Sequence, residues 1–181
     1  MTSLVSGKGL GSVILRTGPD VTFQHPVLSL LEQGWEAIDP LVFMPRLAAH
    51  PLPGHPARPI YEPVGKGDKY FPTVVYDATA LAYENQLAGD EAWATMKDAL
   101  SLAGPADVAS YPVKDNRTSD TGAKYTGAVV QFEGDGIGDP HVICAQLDAV
   151  KHQYGCFHAT FDRTGTAVLS PPATIDAACA E

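Results

Sequence analysis

The chain has 181 residues and a formal net charge of −9, with 45% apolar and 18% charged side chains and three cysteines. That length suffices for one domain with a core of its own, and the composition is that of a globular chain rather than a charge-rich, disordered one. The acidic balance repels a phosphate backbone and makes nucleic acid a poor partner, and no apolar run approaches the roughly 20 residues of a bilayer-spanning helix.

Val13-Ile14-Leu15 reads as a strand closed by the turn Gly18-Pro19-Asp20. From Pro26 to Ala37 the apolar residues Val27, Leu28, Leu31, Trp35 and Ile38 recur at helical spacing, with Pro26 in the first turn, where a missing N–H is tolerated. Between Pro40 and Pro72 the character changes. Prolines at 45, 51, 53, 56, 59 and 63 each remove a backbone donor and bias the preceding residue away from helix. Residues 40–72 therefore read as a long Pro-rich extended arm on a single domain spanning 1–181. The scattered Leu47, Leu52, Ile60 and Val64 suit an arm pinned to a surface, its own or a neighbour's.

Thr73-Val74-Val75-Tyr76 reads as a strand, and Asp77 to Ala88 as a helix ended by Gly89. A second helix follows, capped by Asp90, with Trp93, Met96, Leu100 and Ala103 on one face and Gly104-Pro105 as its stop. The polar loop 114–122 then separates two strands, Val108–Val113 and Tyr125–Phe132. Asp139 and Pro140 open a further helix whose face carries Ile143, Leu147, Val150 and Tyr154, with Lys151 and His152 in its last turn and Gly155 beyond its end.

Past Gly155 the period changes to two. Phe157, Ala159 and Phe161 alternate with Cys156, His158 and Thr160, and Asp162-Arg163-Thr164-Gly165 suits a three-residue hairpin loop. Pairing across it sets Phe161 opposite Ala167 and Ala159 opposite Leu169, which gives a C-terminal β-hairpin with one apolar face. The fold class that emerges is α+β: a mixed or antiparallel sheet, about three covering helices, the C-terminal hairpin and the arm.

The chemistry-bearing residues concentrate between 133 and 158. On a strand, Cys156 and His158 share a face about 6 to 7 Å apart, close enough to share a zinc ion. Two ligands do not make a site, and His141 or Asp139 would have to complete it; a thiol and a half-exposed histidine on a sheet face is the simpler reading. A nucleophilic Cys156 is disfavoured, because it follows the negative end of the expected helix. In "EGDGIGDP" the glycines depart from the dinucleotide order, and Glu133, Asp135 and Asp139 repel phosphate. Asp135 and Asp139 could ligate a hard cation such as calcium, but the loop lacks the EF-hand order and reads as a turn with a capping aspartate.

Cys144, Cys156 and Cys179 are an odd number without framework spacing, as reduced cytoplasmic thiols are, and the N-terminus lacks the apolar segment of a secretory signal. The expected location is the cytoplasm or an assembled particle. No catalytic motif is present, so the favoured function is a non-enzymatic assembly subunit of a multi-subunit or virion-like complex. Its partners would be protein subunits met through the arm, in a homo- or hetero-oligomer, with no cofactor, nucleic acid or membrane. The alternative is a small cytoplasmic enzyme, metal-dependent or not, with a site around His141, Cys156 and His158.

Overall fold

The computed structural model describes residues 26–104, 106–134 and 136–181. The strand expected at 13–15 lies outside them. The chain divides into two compact units, Met1–Phe43 and Met44–Glu181.

In the first unit, helix α1 (Pro26–Trp35) starts at the expected proline and tightens into a 3-10 turn, Glu36–Ile38. A four-residue helix, α2 (Pro40–Phe43), follows, with the Leu41 N–H donating to Asp39 Oδ1 at 3.0 Å. Asp39 and Pro40 thus occupy the positions where a cap and a donor-less residue suit a helix start.

The second unit combines helices with two small sheets, an α+β fold. Strands β1 (Ile60–Gly65), β2 (Gln86–Ala88) and β5 (Gly127–Phe132) form a parallel sheet in the order β1-β5-β2, and β3 (Arg117–Thr118) pairs antiparallel with β4 (Lys124–Tyr125). Its helices are α3 (Thr73–Ala82), α4 (Thr95–Leu100), α5 (Ile143–Gln146) and α6 (Asp148–Thr164). The central strand β5 is buried on both faces, and its near-continuous apolar run, GAVVQF, is what such a position demands.

Alternation along the strands divides the core in two. Val64, Leu87 and Val129 face Ala80 of α3 and Met96 and Leu100 of α4, while Ala88, Ala128 and Val130 meet Phe157 of α6 together with Val113, Ala167 and Leu169. The chain leaving β1 therefore forms a helix on one face, and the chain leaving its neighbour β5 forms one on the other.

Four local expectations are corrected. Residues 73–76 begin helix α3 rather than a strand: Pro72 precedes the first turn, and the alanines at 78, 80 and 82 outweigh the β-branched Val74 and Val75. The helix expected over 77–88 stops at Ala82, and Gln86–Ala88 is strand. The strand expected at 108–113 is reduced to two isolated bridges, Ala88 with Ala109 and Val113 with Leu169.

The largest correction concerns the C-terminal β-hairpin, which is absent: α6 runs through Gly155 to Thr164. The short alternation at 157–161 is overridden by a longer helical stripe, in which Val150, Gln153, Phe157 and Thr160 are all buried. Gly165, read as a hairpin bulge, is the left-handed helix cap, with φ of 78° and its N–H donating to Phe161 O at 2.7 Å. The expectation of reduced thiols is corrected as well, because Cys156 on α6 is disulfide-bonded to Cys179 across a Cα separation of 5.3 Å.

The Pro-rich stretch belongs largely to the second unit's own structure. Met44–Leu47 is a 3-10 turn, Ala48 and Ala49 are buried, and Ile60–Gly65 is the edge strand β1, paired in register from Ile60 with Gly127 to Gly65 with Phe132. Pro63 is tolerated there because an edge strand pairs on one side only. No helix among the described residues is long and apolar enough to cross a membrane.

Candidate functional site

Parallel strands send their following loops to one edge of a sheet, and ligands gather there where adjacent strands dispatch their connections to opposite faces. That divergence occurs between β1 and β5. Two residues from the outgoing loops meet at this edge, Asp68 after β1 and His141 after β5, with His141 Nδ1 3.0 Å from Asp68 Oδ2.

Each residue is held by its local sequence. Asp68 folds back over its own loop, where Oδ1 accepts the N–H groups of Tyr70 at 2.7 Å and Phe71 at 3.1 Å. This is the short-range pattern that aspartate makes in turns. Oδ2 accepts the hydroxyl of Tyr76, from the first turn of α3, as well as the imidazole. His141 sits in the 3-10 turn Pro140–Val142, where Asp139 caps by accepting the His141 N–H at 3.0 Å. Gly65, the last residue of β1, brings the two loops together. A Cβ there would lie 2.6 Å from the Pro140 carbonyl oxygen, so only glycine lets the β5 loop settle onto the end of β1.

The electrostatics follow from burial and donors. The Asp68 side chain is fully buried, whereas that of His141 is 34% exposed. Burial by itself raises the Asp68 carboxyl, but the donors from Tyr76, Phe71, Tyr70 and His141 outweigh it and hold the group below the ordinary carboxylate range. Tyr76 is pushed up, first by burial and then by its bond to that carboxylate. Asp68 is therefore ionised and accepts only, so Nδ1 must carry the imidazole proton. In the neutral ring the lone pair is left on Nε2, which makes no hydrogen bond among the described residues.

Aromatic rings flank the imidazole. The centroid of Tyr70 lies 4.8 Å and that of Phe71 5.1 Å from it, tilted by 46° and 39°. Further along the same edge, at the ends of β2 and β5, Gly89, Asp90, Tyr111, Phe132 and Glu133 line a cavity of about 810 Å³. Glu133 at its rim is paired with Lys66 at 3.0 Å.

The other candidates from the sequence do not converge on this site. Cys156 and His158 lie on α6, where residues two apart point in different directions; Cys156 is buried in its disulfide and offers no thiolate, while His158 is exposed. The ring beside the Cys156 sulfur is that of buried His152, with nitrogens at 3.7 and 3.8 Å. Asp139 is occupied as a cap, and Asp135 lies outside the described residues. No group of three or more His, Cys, Asp or Glu side chains among the described residues is placed to hold a metal.

Sequence reasoning singled out His141 but missed Asp68, Tyr70, Phe71 and Tyr76. Asp68 was read only as part of the Pro-rich stretch 40–72, and nothing in that stretch points to a residue 73 positions away. Comparison with family models, curated proteins and solved structures finds no match for the chain.

Proposed function

We propose that the Met44–Glu181 unit is a small hydrolytic enzyme in which His141, held by Asp68, acts as the general base. The observation that supports this reading is the buried, ionised carboxylate fixing one nitrogen of a half-exposed imidazole at the carboxyl edge of a parallel sheet. In the step envisaged, a water oxygen bonds to a substrate carbonyl carbon while its proton passes to His141 Nε2. The leaving oxygen or nitrogen then departs and takes that proton.

The test is hydrolysis of p-nitrophenyl acetate. The chain should exceed buffer, His141→Gln should lose on the order of 10² of the rate, as removing a general base does, and His158→Gln should leave it unchanged because that residue is exposed on α6. Equal losses in both variants would reduce the activity to ordinary surface histidine chemistry.

A second reading, an assembly subunit of a multi-subunit complex, is supported by a different feature. Leu30, Leu31, Trp35, Ile38, Val42 and Phe43 of the first unit are all exposed, a concentration of apolar surface that favours association. On this reading the subunit contacts belong to α1 and α2 rather than to residues 48–65, which serve the second unit's own core and sheet. A mass in solution equal to the monomer's at high micromolar concentration would end its homo-oligomeric form.

A further inference from the structure

Tyr70 and Phe71 remain 63% and 43% exposed although both lie against the His141 ring. Their backbone N–H groups are tied to Asp68 Oδ1, so one carboxylate fixes the imidazole and the two aromatics together. Val74, in the first turn of α3, and Val142, next to His141, are exposed apolar residues as well. A rigid aromatic surface left open to water beside one free polar nitrogen matches a ligand built the same way, with a flat ring and an adjoining polar group.

We propose that Tyr70 and Phe71 are the docking platform for an aryl ring, so that the substrates of this site are esters or amides of aromatic carboxylic acids. The proposal rests on the general-base reading of His141 and adds the substrate class. Aromatic pairs favour offset or tilted contacts with centroids about 4.5 to 7 Å apart, and Tyr70 and Phe71 already hold the imidazole in that way. In the proposal a third ring lies against the exposed part of Tyr70 in the same tilted manner, beside the imidazole, with its carbonyl turned to the Nε2 side. A saturated ring of equal size offers the area without the quadrupole.

The probes are therefore benzamide and cyclohexanecarboxamide, which share the amide and differ in the ring, titrated into the full chain while its aromatic and amide NMR signals are followed. Benzamide should bind about five-fold more tightly, the discrimination typical of an added aromatic contact. Its shifts should centre on Tyr70, Phe71 and His141. Tyr70→Leu, an exposed substitution that keeps an apolar side chain, should abolish the preference, and Tyr70→Phe should retain it.

His141→Ala should still bind benzamide in preference to the saturated amide, which separates the platform from the base. A chain that hydrolyses p-nitrophenyl acetate through His141 yet binds both amides equally would overturn the platform and leave the general base standing. A preference that survives Tyr70→Leu, or Tyr70 signals that move on dilution without ligand as a covering second copy would make them, would also overturn it.

Discussion

Asp68→Asn is the change that most directly probes the site, because it replaces one carboxylate oxygen with a donor and leaves the shape almost untouched. The oxygen of the introduced amide can still accept the N–H groups of Tyr70 and Phe71, while its nitrogen now faces the Tyr76 hydroxyl and His141 Nδ1. The hydroxyl can turn and accept. The imidazole can stay bonded only by moving its proton from Nδ1 to Nε2, which leaves the wrong nitrogen toward the substrate. Two charge-assisted bonds, each worth about 1.5 to 3 kcal/mol, give way to neutral ones of about 0.5 to 1.5 kcal/mol. The variant should therefore lose on the order of 1 to 3 kcal/mol, at roughly 2 to 4 °C in Tm per kcal/mol. Nitrogen-15 NMR of His141 reports the tautomer, calorimetry the stability, and p-nitrophenyl acetate the rate, which should fall by about 10² or more. Because the folded-state pKa of Asp68 is depressed, its stabilisation is present above the unfolded carboxyl range, near ~4, and is lost on acidification below it. The parent's advantage over the variant should shrink there. An Asp68→Asn protein that keeps Nδ1 protonated, or keeps the parent's rate, refutes the assignment of Asp68 as the residue that positions His141.

Phe157→Ala should cost about 3 to 5 kcal/mol, since Phe157 is 4% exposed in the core beneath α6. Phe161→Ala should stay within about 0.5 kcal/mol of the parent, because that ring is 41% exposed; urea melts that put the two variants level would contradict the helical assignment of 148–164. Replacing residues 47–62 with a Gly/Ser linker removes Ala48, Ala49 and half of β1, so the thermal transition should disappear. A cooperative melt would mean that this segment is dispensable to the fold. Glu62 accepts from Thr79 Oγ1 at 2.5 Å and Asn85 Nδ2 at 3.0 Å, yet burial outweighs these bonds and raises its pKa to about 7. An acid raised on folding destabilises the native state as pH climbs from the ordinary value of 4.5 through about 7, here by on the order of 3 kcal/mol. Glu62→Gln should flatten that decline in a pH series of melts, and an unchanged slope would place its origin elsewhere.

How legible each element was depends on how local its cause is. The helix from Pro26 and the capped turn at Asp139-Pro140 were readable because proline and aspartate act within one turn of themselves. The strand β5 was readable because a central strand is apolar on both faces. Residues 73–76 and 156–161 failed for the opposite reason. Four β-branched or aromatic residues, or six alternating ones, fit a strand locally, whereas the helix they join is set by contacts with Leu87 and Val129 on one face of the sheet and Ala128 and Val130 on the other. The prolines of 45–63 were read as an excursion although one of them lies in the sheet. Proline reports what a segment cannot donate, and an edge strand such as β1 needs donors on one side only.

The candidate site obeys the same logic one level up. His141 stood out because it sits just inside the turn opened by Asp139 and Pro140, but its expected partners were Cys156 and His158, near it in sequence. Its partner in space is set by the strand order β1-β5-β2, which brings the first strand of the sheet beside the last and lays the loop at 66–72 against the loop at 133–142. Neither loop records that adjacency. What does record it is Gly65, where a side chain would strike the Pro140 carbonyl. A glycine at the end of a strand is ambiguous when read alone, but once β1 and β5 are known to be neighbours it marks the spot where the two loops touch. The chemistry of the site thus depends on a residue that has none, since any Cβ at position 65 would strike Pro140, the residue before His141, and force a shift in the loop that sets the imidazole beside Asp68.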